Sequence, residues 1–140
     1  MKILIMGLPS SGKTTLAKEF IKILPDVEWF NADVIREKYN DWDFSDKGRQ
    51  RQCERMKKLA DNSKAEHVIC DFVAPTKEIR KYFNADLMVF VDTIDRSEYE
   101  NTNNIFEKPS NYDIRVESKH ACYWAIQIKK DLINRSIKLN

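Results

Sequence analysis

The eight residues Gly7-Leu8-Pro9-Ser10-Ser11-Gly12-Lys13-Thr14 constrain this chain more than any others. They spell G-x-x-x-x-G-K-[ST] directly after the apolar run Ile3-Leu4-Ile5-Met6. This P-loop pattern needs that context. A buried strand delivers the chain into a tight loop, and the helix that follows turns its free N–H groups towards phosphate oxygens. Thr14, Thr15, Leu16 and Ala17 open such a helix. The chain has only three glycines and the motif uses two of them, where the backbone must curl without a Cβ clash. The rival reading is an ordinary glycine turn before an amphipathic helix, and the flanking strand and helix patterns weigh against it.

Loop geometry assigns the roles. Backbone N–H groups around Ser10, Ser11, Gly12 and Lys13 converge on a β-phosphate, the Lys13 ammonium reaches the β- and γ-oxygens, and the Thr14 hydroxyl ligates magnesium. Gly7, Ser10, Ser11, Gly12, Lys13, Thr14 and Thr15 are therefore expected to cradle a magnesium nucleoside triphosphate, with Pro9 stiffening the loop.

Composition bounds the rest. A length of 140 residues is expected to make one domain, 1–140, with no room for a second folded unit beside a nucleotide-binding sheet. A net charge of +2 gives no global case for nucleic acid or a membrane surface. Cys53, Cys70 and Cys122 are odd in number and lack C-x-x-C spacing, so reduced, buried thiols in a cytoplasmic protein are expected. No segment reads as a signal peptide or membrane span.

Along the chain, Ile3 to Met6, Val27 to Phe30, Val68 to Cys70 and Leu87 to Val91 read as strands with helical periodicity between them, and Tyr112 to Val116 alternates as a short final strand. That alternation implies an α/β fold, a parallel sheet with helices on both faces. Leu16, Phe20, Ile23 and Leu24 form one helical stripe, ended by Pro25-Asp26. Cys53, Met56, Leu59 and Ala60 form another, and residues 119–137 a long last helix packed across the sheet.

In such sheets ligands gather beyond the carboxyl ends of the strands. Those ends supply Asp33, Asp71 and Asp92, three carboxylates expected at one rim. Asp33 and Asp71 are candidates for a general base or for holding the waters of magnesium, with helix capping the alternative for each and the favoured role for Asp92. Arg36, Arg49, Arg51 and Arg55 offer guanidinium forks for phosphate or sulfate oxygens, and Phe44 offers a stacking surface for a base. A solvated helix face with a packed anchor residue is the alternative. His67 and His120 are isolated, and surface or capping roles are expected for them.

At these residues the chain resembles the adenylylsulfate (APS) kinases, P-loop enzymes that use ATP to phosphorylate the 3'-hydroxyl of adenosine 5'-phosphosulfate. Asn31-Ala32-Asp33-Val34-Ile35-Arg36 keeps the second aspartate and the arginine of the family's D-G-D-N-x-R. Asp43-Phe44-Ser45 with Arg49 matches G-F-S-x-x-x-R, Phe72-Val73-Ala74-Pro75 matches F-I-S-P, and Val91-Asp92-Thr93 matches V-D-T. Ala74 replaces the family's serine, and Gln52 stands where asparagine is usual. The family's basic lid is replaced by residues 98–109, with one lysine and no arginine. The resemblance implies a P-loop kinase fold, ATP and Mg2+, Lys13 with Asp33 or Asp71 in catalysis, and an acceptor held by Asp33, Arg36, Phe44, Arg49 and Phe72. The expected reaction is transfer of the γ-phosphate to a small nucleotide-like acceptor, APS being the best single candidate. Alternatives are a kinase of a nucleoside, a nucleotide or a polynucleotide end, or a catalytically weak ATP-binding module. No N-K-x-D string supports a GTPase switch. A homodimer stays open.

Overall fold

The structure, a computed structural model, describes the backbone of residues 1–139 and the side chains of residues 1–136. Strand β1 (Lys2–Met6) sends Ile3 and Ile5 to one face and Leu4 and Met6 to the other, and all four are fully buried. A strand buried on both sides belongs at the centre of a parallel sheet. Strands β2 (Val27–Asn31), β3 (His67–Asp71), β4 (Leu87–Val91) and β5 (Ile114–Val116) complete five strands in the order β2-β3-β1-β4-β5, with every neighbouring pair parallel. β5 is shorter than the alternating segment 112–116. Tyr112 packs on Phe90, and the Asp113 carboxylate accepts from Met88 N instead of extending the strand.

Two helical layers cover the sheet. On one face, α1 (Lys13–Ile21) and α6 (Ala121–Leu139) pack Leu16, Ala17, Phe20, Ala125, Ile128 and Leu132 onto Ile3, Ile5 and Val89. On the other, Ile35 of α2 (Ala32–Tyr39), Cys53, Met56 and Ala60 of α3 (Asp46–Asn62), and Ile79 and Phe83 of α4 (Lys77–Phe83) cover Leu4, Met6, Cys70 and Phe90. Truncating a core ring such as Phe20 to alanine costs about 3–5 kcal/mol in sites of this kind. Helices thus lie on both faces of the parallel sheet, as the apolar alternation implied.

Capping fixes where helices begin. Asn31 Oδ1 accepts from Val34 N at 3.1 Å, Ser45 Oγ from Gly48 N at 3.2 Å, and Thr76 Oγ1 from Ile79 N at 3.2 Å. Helix α1 has no side-chain cap and follows Gly12, whose φ of 107° is left-handed. Its first N–H groups are left for a ligand.

Two expectations change. Cys53 and Cys70 are buried but Cys122 is exposed, its Sγ donating to Glu19 Oε2 at 3.2 Å, because α6 turns that position outward. Burial pushes the Cys53 thiol up to about 12. His67 is no surface residue: its side chain is 13 % exposed, and burial lowers its pKa. His120 is exposed and paired with Ser118 Oγ. Among the described residues no helix is long and apolar enough to cross a membrane, and no group of His, Cys, Asp and Glu is disposed to hold a metal ion.

Candidate active site

The chain leaves β1 for β2 and β3 on one side and returns to β4 on the other, so the strand order reverses at β1 and opens a crevice above its carboxyl end. There the loops enclose a cavity of about 1090 Å³, bordered by the P-loop, Asn31 to Asp33, Asp71 to Val73, and Glu98 to Thr102. Gly7 lies where its backbone presses on the neighbouring strand: a Cβ there would sit 2.5 Å from Val91 O, at a φ of 151°. Thr93 Oγ1 donates to Ser11 O at 2.6 Å and Lys119 Nζ to Ser10 O at 3.2 Å, which pin the loop's outer turn.

Lys13 is 9 % exposed and its Nζ donates to Leu8 O at 2.9 Å. Burial lowers its pKa to about 8, opposed by the nearby carboxylates of Asp71 and Asp33. Phosphate oxygens beside Nζ would favour the charged form. Ser11 Oγ is buried and has no hydrogen-bond partner among the described residues. An uncapped helix start, a buried ammonium and an unpartnered hydroxyl fit a polyphosphate.

Asp71 ends β3 and is 2 % exposed. The register sets Asn31 opposite Asp71 and Trp29 opposite Ile69, so Trp29, Asn31 and Asp71 share one side of the pleat. Trp29 Nε1 donates to Asp71 Oδ2 at 2.5 Å, Asn31 Nδ2 to Oδ1 at 3.1 Å, and Thr14 Oγ1 to Oδ1 at 3.4 Å. Burial raises the Asp71 pKa, and the Trp29 and Asn31 hydrogen bonds with the Lys13 charge pull it back. A threonine hydroxyl beside an oriented carboxylate is the oxygen donor set that suits magnesium.

The three expected carboxylates part company. Asp33, exposed in the first turn of α2, lines the cavity and accepts no hydrogen bond among the described residues, since Asn31 caps that helix. Asp71 caps nothing, because Thr76 starts α4. Asp92 does not join them. It follows cavity-lining Val91, and its carboxylate pairs with Arg115 at 2.9 Å and Lys108 at 3.4 Å beside a separate hollow of about 170 Å³.

Opposite the P-loop, Phe44 is 51 % exposed, its ring 4.3 Å from the Arg36 guanidinium and 5.5 Å from that of Arg49. Arg36 lies outside the cavity wall, with Nη1 donating to Asp41 O at 2.9 Å and Asp43 O at 3.1 Å. It props the Phe44 loop. Arg51 and Arg55, candidates for anion binding by sequence, both bind Asp41, and Arg51 also binds Asp43. These partners hold the Asp41 carboxyl well below the usual range. Gly48 lets the loop lie on α3, since a Cβ there would come within 2.1 Å of Asp43 O. Arg49 lines the cavity and gives Nε to Phe44 O and Nη2 to Thr102 Oγ1 at 3.0 Å. Phe72 lines it too, edge-on to Phe83 at 5.4 Å.

Trp29, Trp42, Glu98, Tyr99, Thr102 and Lys119 also touch or support the site and were not singled out by motif. Only Trp29 left a signal, two residues before Asn31 on an expected strand, and the structure sets that strand beside the Asp71 strand. Residues 98–109, read as a lid segment, contain a short helix, α5 (Glu100–Ile105), docked through the buried Thr102.

The adenylylsulphate kinase family model matches residues 1–115. The chain belongs to the adenylylsulphate kinase family. This adenylylsulphate kinase family member is a P-loop kinase, and ATP is its phosphate donor. Solved structures share its fold. The Mycobacterium tuberculosis APS kinase CysC, in complex with AMPPNP and APS, superposes with a TM-score of 0.73 at 19 % identity, covering 94 % of this chain and 96 % of that one. Shikimate kinase from Aquifex aeolicus gives 0.69 at 19 % identity over 97 % and 98 %. A gluconokinase from Sinorhizobium meliloti gives 0.68 at 14 % over 96 % and 97 %. No curated protein matches the chain.

Proposed function

We propose that this family member transfers the γ-phosphate of ATP to a hydroxyl of a small nucleotide-like acceptor, with Asp33 as the general base. The single observation that carries this reading is the Asp33 carboxylate, without a hydrogen-bond partner among the described residues, on the same cavity as Lys13 and Thr14. A hydroxyl attacking phosphorus must lose a proton, and a free carboxylate across from the donor phosphates can take it.

Each residue has a part in this reading. The P-loop amides and Lys13 hold the donor phosphates and offset their charge. Thr14 and Asp71 hold magnesium, which when bound neutralises phosphate charge, and Trp29 with Asn31 keep the Asp71 carboxylate oriented. Phe44 stacks on the acceptor ring, with Phe72 and Arg49 as neighbours, and Arg36 fixes Phe44. The reduced cysteines suit a cytoplasmic setting.

Family membership nominates the 3'-hydroxyl of APS as acceptor. The test is acceptor-dependent ADP release from magnesium-ATP with APS, nucleosides, nucleotides and 5'-hydroxyl oligonucleotides, with the phosphorylated product identified by mass. ATP binding without transfer to any acceptor would leave a binding module in place of a kinase.

A further inference from the structure

The cavity extends past the P-loop in the direction away from Asp33. In the strand order β2-β3-β1-β4-β5, Asp33 follows one edge strand, the β5–α6 connection follows the other, and the P-loop lies between them above β1. That connection lines the cavity through Ser118, Lys119 and Ala121. It is fixed in place. Ser118 Oγ accepts from Trp124 Nε1 at 3.0 Å and lies 3.0 Å from His120 Nδ1, and Trp124 packs against the core. From this anchored segment Lys119 reaches across to the P-loop, where its Nζ donates to Ser10 O. Lys119 lies beyond residues 1–115, so the family match does not extend to it.

A triphosphate held on the P-loop with its γ-phosphorus towards Asp33 points its nucleoside the other way, past Thr15 and towards Lys119. The aromatic rings that line the cavity, Trp42, Phe44, Phe72 and Tyr99, all belong to other segments. A base arriving beside the β5–α6 connection therefore has the four-carbon stem of Lys119 as its apolar cover. The ammonium carries three protons and gives one to Ser10 O, which leaves donors for the oxygens of a sugar. We infer that Lys119 is a binding residue for the donor's nucleoside: its stem covers the base, and its ammonium bridges Ser10 O to a ribose oxygen. The outer turn of the P-loop is thereby tied to the nucleoside as well as to the phosphates, and the site favours a nucleoside triphosphate over a bare polyphosphate. This rests on the donor half of the phosphoryl-transfer reading above and adds to it a residue that no motif supplies.

The experiment compares magnesium-ATP with magnesium tripolyphosphate, which has three linked phosphates and no nucleoside. Affinities are measured calorimetrically on the full chain, native and with Lys119→Ala, Lys119→Met or Lys119→Arg. Lys119→Ala should weaken ATP by about thirty-fold, and Lys119→Met, which keeps an apolar stem, by about ten-fold. Lys119→Arg should stay within about three-fold of native, and tripolyphosphate should change by less than about three-fold in every variant. Lys119 is exposed, so melting of the nucleotide-free variants should stay near native. In turnover, Lys119→Ala should raise the ATP KM and leave kcat within about three-fold. Parallel loss of ATP and tripolyphosphate would overturn the inference, because a residue that only pins the P-loop or only meets phosphates acts on both ligands alike. So would ATP affinity left unchanged by Lys119→Ala, or a fall in kcat with the ATP KM unmoved. If the two ligands separate as expected and no acceptor is phosphorylated, the kinase reading fails while the nucleoside contact stands. If an acceptor is phosphorylated and the ligands do not separate, the contact fails and the kinase reading stands.

Discussion

The nucleotide end of the cavity is made from consecutive residues, 7 to 14, held by one strand and one helix start, whereas the acceptor end is assembled from α2, the 41–45 loop, α3 and α5. Its central link, Arg49 to Thr102, spans 53 positions of sequence. In the proposed reading phosphates are met at one end by backbone amides, which every sequence possesses, and the acceptor is met at the other by side chains that can be exchanged singly. The donor chemistry is therefore hard to alter and the acceptor preference easy. Shikimate kinase and gluconokinase, named for different acceptors, superpose on this chain about as well as an APS kinase does.

The sharpest way to break this division is Lys13→Ala. Turnover should fall by roughly 10⁴-fold or more with the melting temperature no lower than that of the native chain, since in the proposed reading the ammonium serves phosphates and its burial costs the nucleotide-free protein stability. Near-native turnover would remove the donor assignment altogether. Next comes Asp33→Asn, which keeps size and hydrogen bonding but cannot take a proton. The transfer rate should drop roughly 10²- to 10⁴-fold while ATP affinity survives. Loss of ATP binding with acceptor affinity intact would move Asp33 to the metal side and make Asp71 the base.

Smaller effects sharpen the comparison from the acceptor side. Phe44→Ala and Thr102→Val should each raise the acceptor KM by about ten-fold and leave the ATP KM in place, through lost stacking and a freed Arg49 respectively. Equal changes in both constants would mean that the two ends are not separable. The donor end carries a pH signature instead. Lys13 in the free protein titrates near 8, below its usual 10.5, so it is charged below that pH and neutral above it. Bound phosphates favour the proton, so ATP affinity should weaken above about pH 8, by at most about ten-fold per pH unit, and Lys13→Met should abolish the slope. The unfolded chain keeps this proton up to 10.5. The desolvation cost is thus full below pH 8, and stability of the nucleotide-free protein should rise between 8 and 10.5, as thermal melts across that window would register. The smallest change expected is Ala74→Ser. Ala74 is fully buried and lines neither end, so transfer should shift by less than about three-fold, and no phosphoenzyme should form with labelled ATP.

The P-loop, the strands and the capped helix starts were legible because each depends on neighbours in sequence: alternation within a strand, a hydroxyl or amide three residues before the N–H it caps, two glycines at fixed spacing. Asp33 and Asp71 were legible as strand-end carboxylates, but their roles were not. Asp33 is free because Asn31 took the cap, and Asp71 is fixed because the β2–β3 register brought Trp29 and Asn31 to it. Asp92, equally a strand-end carboxylate, was carried to the other side and neutralised by Arg115 and Lys108.

By itself, then, the sequence determined a parallel α/β sheet with a phosphate-binding loop at its carboxyl edge, because backbone geometry and apolar period are local properties. Only the tertiary structure decided which arginines are engaged by Asp41, Asp43 and backbone carbonyls, which aromatic rings stand open, and which carboxylates remain unpaired. The charge a side chain offers a ligand is what remains after its neighbours in space have been satisfied, and those neighbours come from distant parts of the chain.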